Sequence, residues 1–144
     1  MGRWGGRAEV VKLLLRCPNV NPNMTDTVGR TPLLYAAMNS HHGVVRLLLG
    51  REDVDPNIPD NYGTPLAWAT KSGDDQVVKL MLEWNDIAPN IKGIDGDTPL
   101  LSAAKLGYDR VVKLLLKCQK DNPNMTSWAG QTALSWAANS GLQT

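Results

Sequence analysis

Few residues in this 144-residue chain are suited to catalysis or metal binding. It has two histidines, the adjacent His41 and His42, and two cysteines, Cys17 and Cys118. Neighbouring helix positions do not face one another, so the histidines cannot close around one ion. A structural zinc site needs about four convergent ligands, and neither cysteine falls near the pair. His41-His42 therefore reads as the capping, solvated start of a helix. Asp74-Asp75 also precedes an apolar helical run, where carboxylates stabilise the positive end of the dipole rather than form an acid pair. Gly-x-Ser-x-Gly, a Walker A loop and Cys-x-x-Cys do not occur. No catalytic residue, metal or cofactor is assigned, and the chain is read as not an enzyme.

The elements that position these residues recur. Thr31-Pro32-Leu33, Thr64-Pro65-Leu66 and Thr98-Pro99-Leu100 are followed by a degenerate copy, Thr132-Ala133-Leu134, at intervals of 33 or 34 residues. That period signals a stack of similar helical units. Thr is a good N-cap and Pro suits the first helical position. Leu33, Leu66, Leu100 and Leu134 open an apolar face that continues through Ala36-Ala37, Ala69, Ala103-Ala104 and Ala137-Ala138. This first helix should end at Ser40, Gly73, Gly107 and Gly141, where Gly serves a left-handed cap.

A second helix follows in each unit. Val10-Val11, Val44-Val45, Val77-Val78 and Val111-Val112 each precede a run of Leu or Met at helical spacing, which predicts a broad buried stripe. Lys12, Arg46, Lys79 and Lys113 fall at one fixed position and read as the solvated face. Pro22, Pro56, Pro89 and Pro123, each followed by Asn, separate the units. A turn containing Gly29, Gly63, Gly96 or Gly130 then predicts a projecting, hairpin-like finger. The expected architecture is all-α: one domain, 1–144, with a half unit at 4–22, complete units at 23–56, 57–89 and 90–123, and a partial unit at 124–144.

Bulk properties narrow the classes of partner. Hydrophobic residues make up 42% of the chain and the net charge is +1. The basic residues are dispersed among acids, so neither nucleic acid nor an anionic membrane is an expected partner. No apolar run is long enough to span a bilayer. Arg7, Glu9 and Lys12 break up any signal-peptide core, and Gly6 stands where a myristoylation motif needs Ser or Thr. A cytoplasmic protein is expected, with the nucleus left open. The acceptor patterns Asn23-Met24-Thr25 and Asn124-Met125-Thr126 are then products of repetition rather than glycan sites. Cys17 and Cys118 sit at equivalent positions three units apart, roughly 30 Å if stacked helices lie about 10 Å apart, and should be free thiols.

With three motif copies in register and four Val-Val-x-Leu-Leu/Met-Leu helices, the sequence resembles the ankyrin repeat family from about Gly6 to Gly141. Its Asp/Asn-Pro-Asn linkers resemble those of arrays carried by large fungal NOD-like ATPase receptors. It departs from the family in placing Leu34, Ala67, Leu101 and Ser135 where a His normally helps bond adjoining turns, which implies a weaker finger network. The finger-opening Asp is kept at Asp26 and Asp60 but replaced by Gly93 and Ser127.

The resemblance implies a protein or peptide partner on the concave side formed by fingers and first helices. The positions that vary between units support that side. The candidate contacts are Arg30, Met38, Asn61, Tyr62, Lys71, Ile94, Asp95, Asp97, Lys105, Trp128 and Gln131. Tyr62, Ile94 and Trp128 are the candidate anchors; the alternative is that they pack on neighbouring fingers. Trp68 and Trp136 are expected in or near the core, and Trp84 over a junction between units. The rival function is a structural spacer with no partner of its own. Finally, the half units leave an outer helix at one end and an inner helix at the other, which predicts weak head-to-tail self-association.

Overall fold

The computed structural model describes residues 7–140, where eight helices and no strand are formed. They are α1 (Ala8–Leu15), α2 (Pro32–Met38), α3 (His42–Leu49), α4 (Pro65–Ser72), α5 (Asp75–Leu82), α6 (Pro99–Leu106), α7 (Asp109–Lys117) and α8 (Ala133–Ser140). The even-numbered helices stack as an inner layer and the odd-numbered ones as an outer layer; α2–α3, α4–α5 and α6–α7 pair within units, while α1 packs on α3 and α8 on α6. Trp4 and Gly141 lie outside the described residues. Among those described, no helix is long and apolar enough to cross a membrane.

Local chemistry starts and stops the inner helices as the motif predicts. The Thr31, Thr64 and Thr98 hydroxyls accept from the backbone N–H of Leu34, Ala67 and Leu101 at 3.1, 3.1 and 3.3 Å. Gly73 and Gly107 take left-handed φ of 74° and 73°, and Ser40 adopts 58° in the same place. That conformation is unfavourable for a residue with a Cβ; the Ser40 hydroxyl bonds to Asp74 there.

The core lies between the layers. Leu33, Leu66, Leu100 and the alanines of the inner helices meet Val44, Val45, Leu48, Val77, Val78, Met81, Val111 and Leu115 of the outer ones. Ala37, Ala69 and Ala103 are fully buried, and their small side chains let inner helices approach closely. Trp84, just past the end of α5, packs half-buried against this core. Neither α1 nor α8 buries a residue fully.

The histidine pair acts in a way the sequence did not suggest. His41 occupies the N-cap position of α3 without a side-chain capping bond. His42 Nε2 lies 2.7 Å from Asp74 Oδ2, joining α3 to the start of α5. Asp74 also caps α5, accepting from Gln76 N and Val77 N at 3.0 and 3.2 Å. Cys17 and Cys118 are both free.

The linkers do more than interrupt helices. Asn23 donates through Nδ2 to Asp53 O at 2.7 Å and accepts through Oδ1 from Asp55 N at 2.8 Å. Asn57 makes the same pair with Asp86 O and Ala88 N, and Asn90 with Lys120 O and Asn122 N. Each amide thus ties the start of a unit to the loop that ends it, satisfying one backbone donor and one acceptor that the irregular chain leaves over.

One loop position breaks the pattern. Val54 and Ile87 are buried at the end of their units, whereas the equivalent residue of the next unit is Asp121. Both Asp121 carboxylate oxygens are buried without a hydrogen-bond partner, and burial pushes the group up to about 6. Because the folded value lies above the ordinary 3.8, stability is fullest at low pH and is lost as pH rises through about 6. Asp121→Val should raise Tm at pH 7 by about 2–4 °C, the shift that ~1 kcal/mol gives in a chain of this size. Thermal melts at pH 7 and pH 4.5 check this: the advantage should shrink at the lower pH, and an equal advantage at both would count against a charge effect.

Candidate binding face

The four fingers are closed by backbone hydrogen bonds. Asp26 N donates to Arg30 O at 3.1 Å, Asp60 N to Gly63 O at 3.0 Å, Gly93 N to Asp97 O at 3.0 Å and Ser127 N to Gln131 O at 2.8 Å. Successive fingers also touch. Ile94 N donates to Tyr62 O at 2.9 Å, and a Cβ on Gly93 would lie 2.8 Å from that same carbonyl oxygen. Gly93 is therefore required by a close backbone approach, and the finger-opening Asp cannot stand there.

Two fingers are clasped to their inner helices by aromatic side chains. The Tyr35 hydroxyl donates to Asp26 Oδ2. Trp68 Nε1 donates to both Asp60 oxygens at 3.1 and 3.2 Å. Arg30 Nε reaches across to Asp60 Oδ2 at 3.0 Å, and its guanidinium lies 5.7 Å from the Tyr35 ring centre and 5.5 Å from that of Trp68. Such a cation between two rings gains from both. Asp60, with its side chain only 1% exposed, also accepts from Tyr62 N and Gly63 N. The burial that pushes its carboxyl up is outweighed by bonds from Tyr62 N–H, Trp68, Gly63 N–H and Arg30, so it titrates below its ordinary range.

The expected weakness of the finger network is thus met by other residues. Leu34, Ala67 and Leu101, in place of the family's His, are buried. Carboxylate, ring and guanidinium do the joining. Trp68, expected in or near the core, is half-buried on this side, as is Trp136.

The candidate contacts fall into two groups. Asn61, Tyr62, Ile94 and Trp128 are exposed, and Met38 and Gln131 are half-buried. Tyr62 meets Trp68 edge to face with ring centres 6.2 Å apart. Trp128 rests on Gly96, where a Cβ would lie 2.4 Å from the ring, yet 73% of the residue stays exposed. The charged candidates are engaged in ion pairs rather than free. Beside Arg30–Asp60, Lys71 Nζ lies 3.2 Å from Asp95 Oδ2 and Lys105 Nζ 2.8 Å from Asp97 Oδ2. Asp97 is itself buried. Nothing in the local sequence marked these pairings, because the partners lie about one unit apart or on different elements.

A family profile described as ankyrin repeats, in three copies, matches residues 3–92 and 73–144. The chain belongs to the ankyrin repeat family. An ankyrin repeat-containing protein of Schizosaccharomyces pombe is 35% identical over 60 residues, which cover 40% of this chain and 26% of that protein. The matched stretch is thus about a quarter of the relative's length. Ankyrin repeats are in general protein-protein interaction modules and are typically non-enzymatic.

Within this ankyrin array, Asp60 holds four groups in place at once. Asp60→Ala should cost about 2–4 kcal/mol, because it leaves Trp68 Nε1, two backbone N–H groups and the Arg30 charge without their acceptor. Its folded value is depressed, so its contribution is present above the ordinary 3.8 and lost as pH falls below it. Urea unfolding of wild type and variant from pH 7 to pH 3 checks both: the gap should narrow on the acid side, and a variant as stable as wild type at pH 7 would contradict this account.

Proposed function

We propose that this chain is a non-catalytic binding module that takes a protein or peptide on its concave face of fingers and inner helices. The observation that carries this reading is the row of exposed apolar side chains, Tyr62, Ile94 and Trp128, on three consecutive fingers that are each closed by a backbone hydrogen bond. Exposed aromatics on a fixed scaffold are good interface anchors, since little side-chain entropy is lost on docking. Lys71, Asp95 and Lys105 form a charged border, and Asn61, Met38 and Gln131 supply its remaining contacts. The exposed free thiol of Cys17 favours a reducing, cytoplasmic setting.

Tyr62→Ala, Ile94→Ala and Trp128→Ala made together should leave the helical circular dichroism unchanged and remove at least most of a partner captured by the intact chain. Capture that survives all three changes would favour the spacer reading.

A second protein-binding surface is favoured by the outermost described helices. Leu134 is 80% exposed where Leu100 is 3%, and Val10 and Leu14 are 47% and 53% exposed where Val44 and Leu48 are 6% and 1%. The inner helix α8 and the outer helix α1 are complementary halves of a unit, so a second copy can dock head to tail. The Asn124 amide, at the open end of the asparagine ladder, would then meet Asn19 O and Asn21 N of that copy. Each buried Leu or Val is worth roughly 1.5–3 kcal/mol before association costs, which permits a weak, open-ended assembly. Sedimentation should show larger species as concentration rises, suppressed by Leu14→Glu and by Leu134→Glu separately; a sharp monomer throughout would exclude the contact.

A further inference from the structure

The repeat shows what one unit lacks. At the fourth residue of the inner helix stand Tyr35, Trp68 and Trp136, but in the unit 90–123 the residue is Ser102. At the start of the finger stand Asp26, Asp60 and Ser127, but here it is Gly93. Ring and finger carboxylate, which clasp each other in the units of Tyr35 and Trp68, are both missing. A groove of about 330 Å³ lies at this place, lined by Lys71, Asp95, Asp97, Ser102, Lys105 and Leu106.

An acceptor is still present beside that groove. The Asp97 side chain is 8% exposed; its Oδ2 holds Lys105 Nζ, while Oδ1 is buried with no hydrogen-bond partner. A carboxylate oxygen left in that condition is costly, and a donor brought to it is favoured. Two Lys–Asp pairs flank the groove, and lysine stems are apolar walls against which a flat ring can lie. Leu106, half exposed, adds further apolar surface.

We propose that this groove is a socket for one aromatic side chain of the partner, a Tyr or Trp, whose ring takes the place that Trp68 fills in the preceding unit and whose O–H or N–H donates to Asp97 Oδ1. The Lys105 side chain, 31% exposed, is the element that yields to admit it. The ligand class follows from the repeat: the site completes itself with the group its neighbours carry in cis. The socket rests on the concave-face reading and names the kind of residue that face selects.

The test uses the full chain, labelled with ¹⁵N, and three small probes: 4-methylphenol, 3-methylindole and toluene. The first two should shift the backbone amides of 93–98 and 102–106 in a saturable manner, and bind about tenfold tighter than toluene, the gain expected of one hydrogen bond to a charged acceptor. Ser102→Trp fills the socket in cis and should abolish those shifts while keeping Tm at or above that of wild type. Ser102→Tyr, patterned on Tyr35, is the second filling variant should Trp disturb the fold.

Shifts confined elsewhere, toluene binding as tightly as the donors, or probe binding unchanged in a folded filling variant would each overturn the socket. The broader reading fails separately. Partner capture that depends on Tyr62, Ile94 and Trp128 but is untouched by Ser102→Trp would remove the socket and leave the face. Probe binding at the groove with capture indifferent to those three residues would leave the socket and remove the face.

Discussion

No unit of this chain can bury its own apolar surface, and every other feature depends on that constraint. A pair of seven- to nine-residue helices has Leu and Val on two sides. One side is covered by the partner helix and the other only by the next unit. Hence Val45, Val77, Val78 and Leu48 are buried almost completely, while α1 and α8, with a neighbour on one side only, bury no residue fully. Stacking also sets the spacing at which every polar contact between units must work.

At that spacing the chain carries two polar systems, one along its linkers and one along its fingers. On the linker edge, asparagine amides satisfy the backbone of successive loops in the same geometry each time. On the finger edge the joints are individual: an arginine between two rings, a lysine–aspartate pair, a backbone bond allowed only by Gly93. A regular edge holds the array, and an irregular one gives each unit a different surface. That division suits a recognition module, because the side chains free to differ are those that leave packing intact.

The same logic makes departures from the repeat informative. Asp121 occupies a place built for Val or Ile and lacks any partner there, so it weakens the unit that contains it. Ser102 and Gly93 remove the aromatic clasp, leaving a Lys105–Asp97 pair to tie finger to helix and a groove beside it. Both are visible as odd letters in an alignment of the units. Only the coordinates show that one is a buried charge and the other an opening beside an unsatisfied acceptor.

The sequence by itself determined the helices, their order and the faces they bury. Thr31, Thr64 and Thr98 cap within three residues, Gly73 and Gly107 end helices by a single backbone angle, and the Val and Leu runs have a period that only one helix face can satisfy. These are short-range effects, readable from adjacent letters. Which polar groups would meet was decided by the tertiary structure: Asn23 with the loop at Asp53, Arg30 with Asp60, His42 with Asp74. Their partners lie about one unit away, and small offsets in stacking choose among several carboxylates and carbonyls within reach. The candidate face was legible as a set of variable positions. That Arg30 would be drawn to Asp60 of the next unit and Asp97 to Lys105 of its own inner helix, while Tyr62, Ile94 and Trp128 stayed in solvent, was settled by tertiary packing, which no local pattern records.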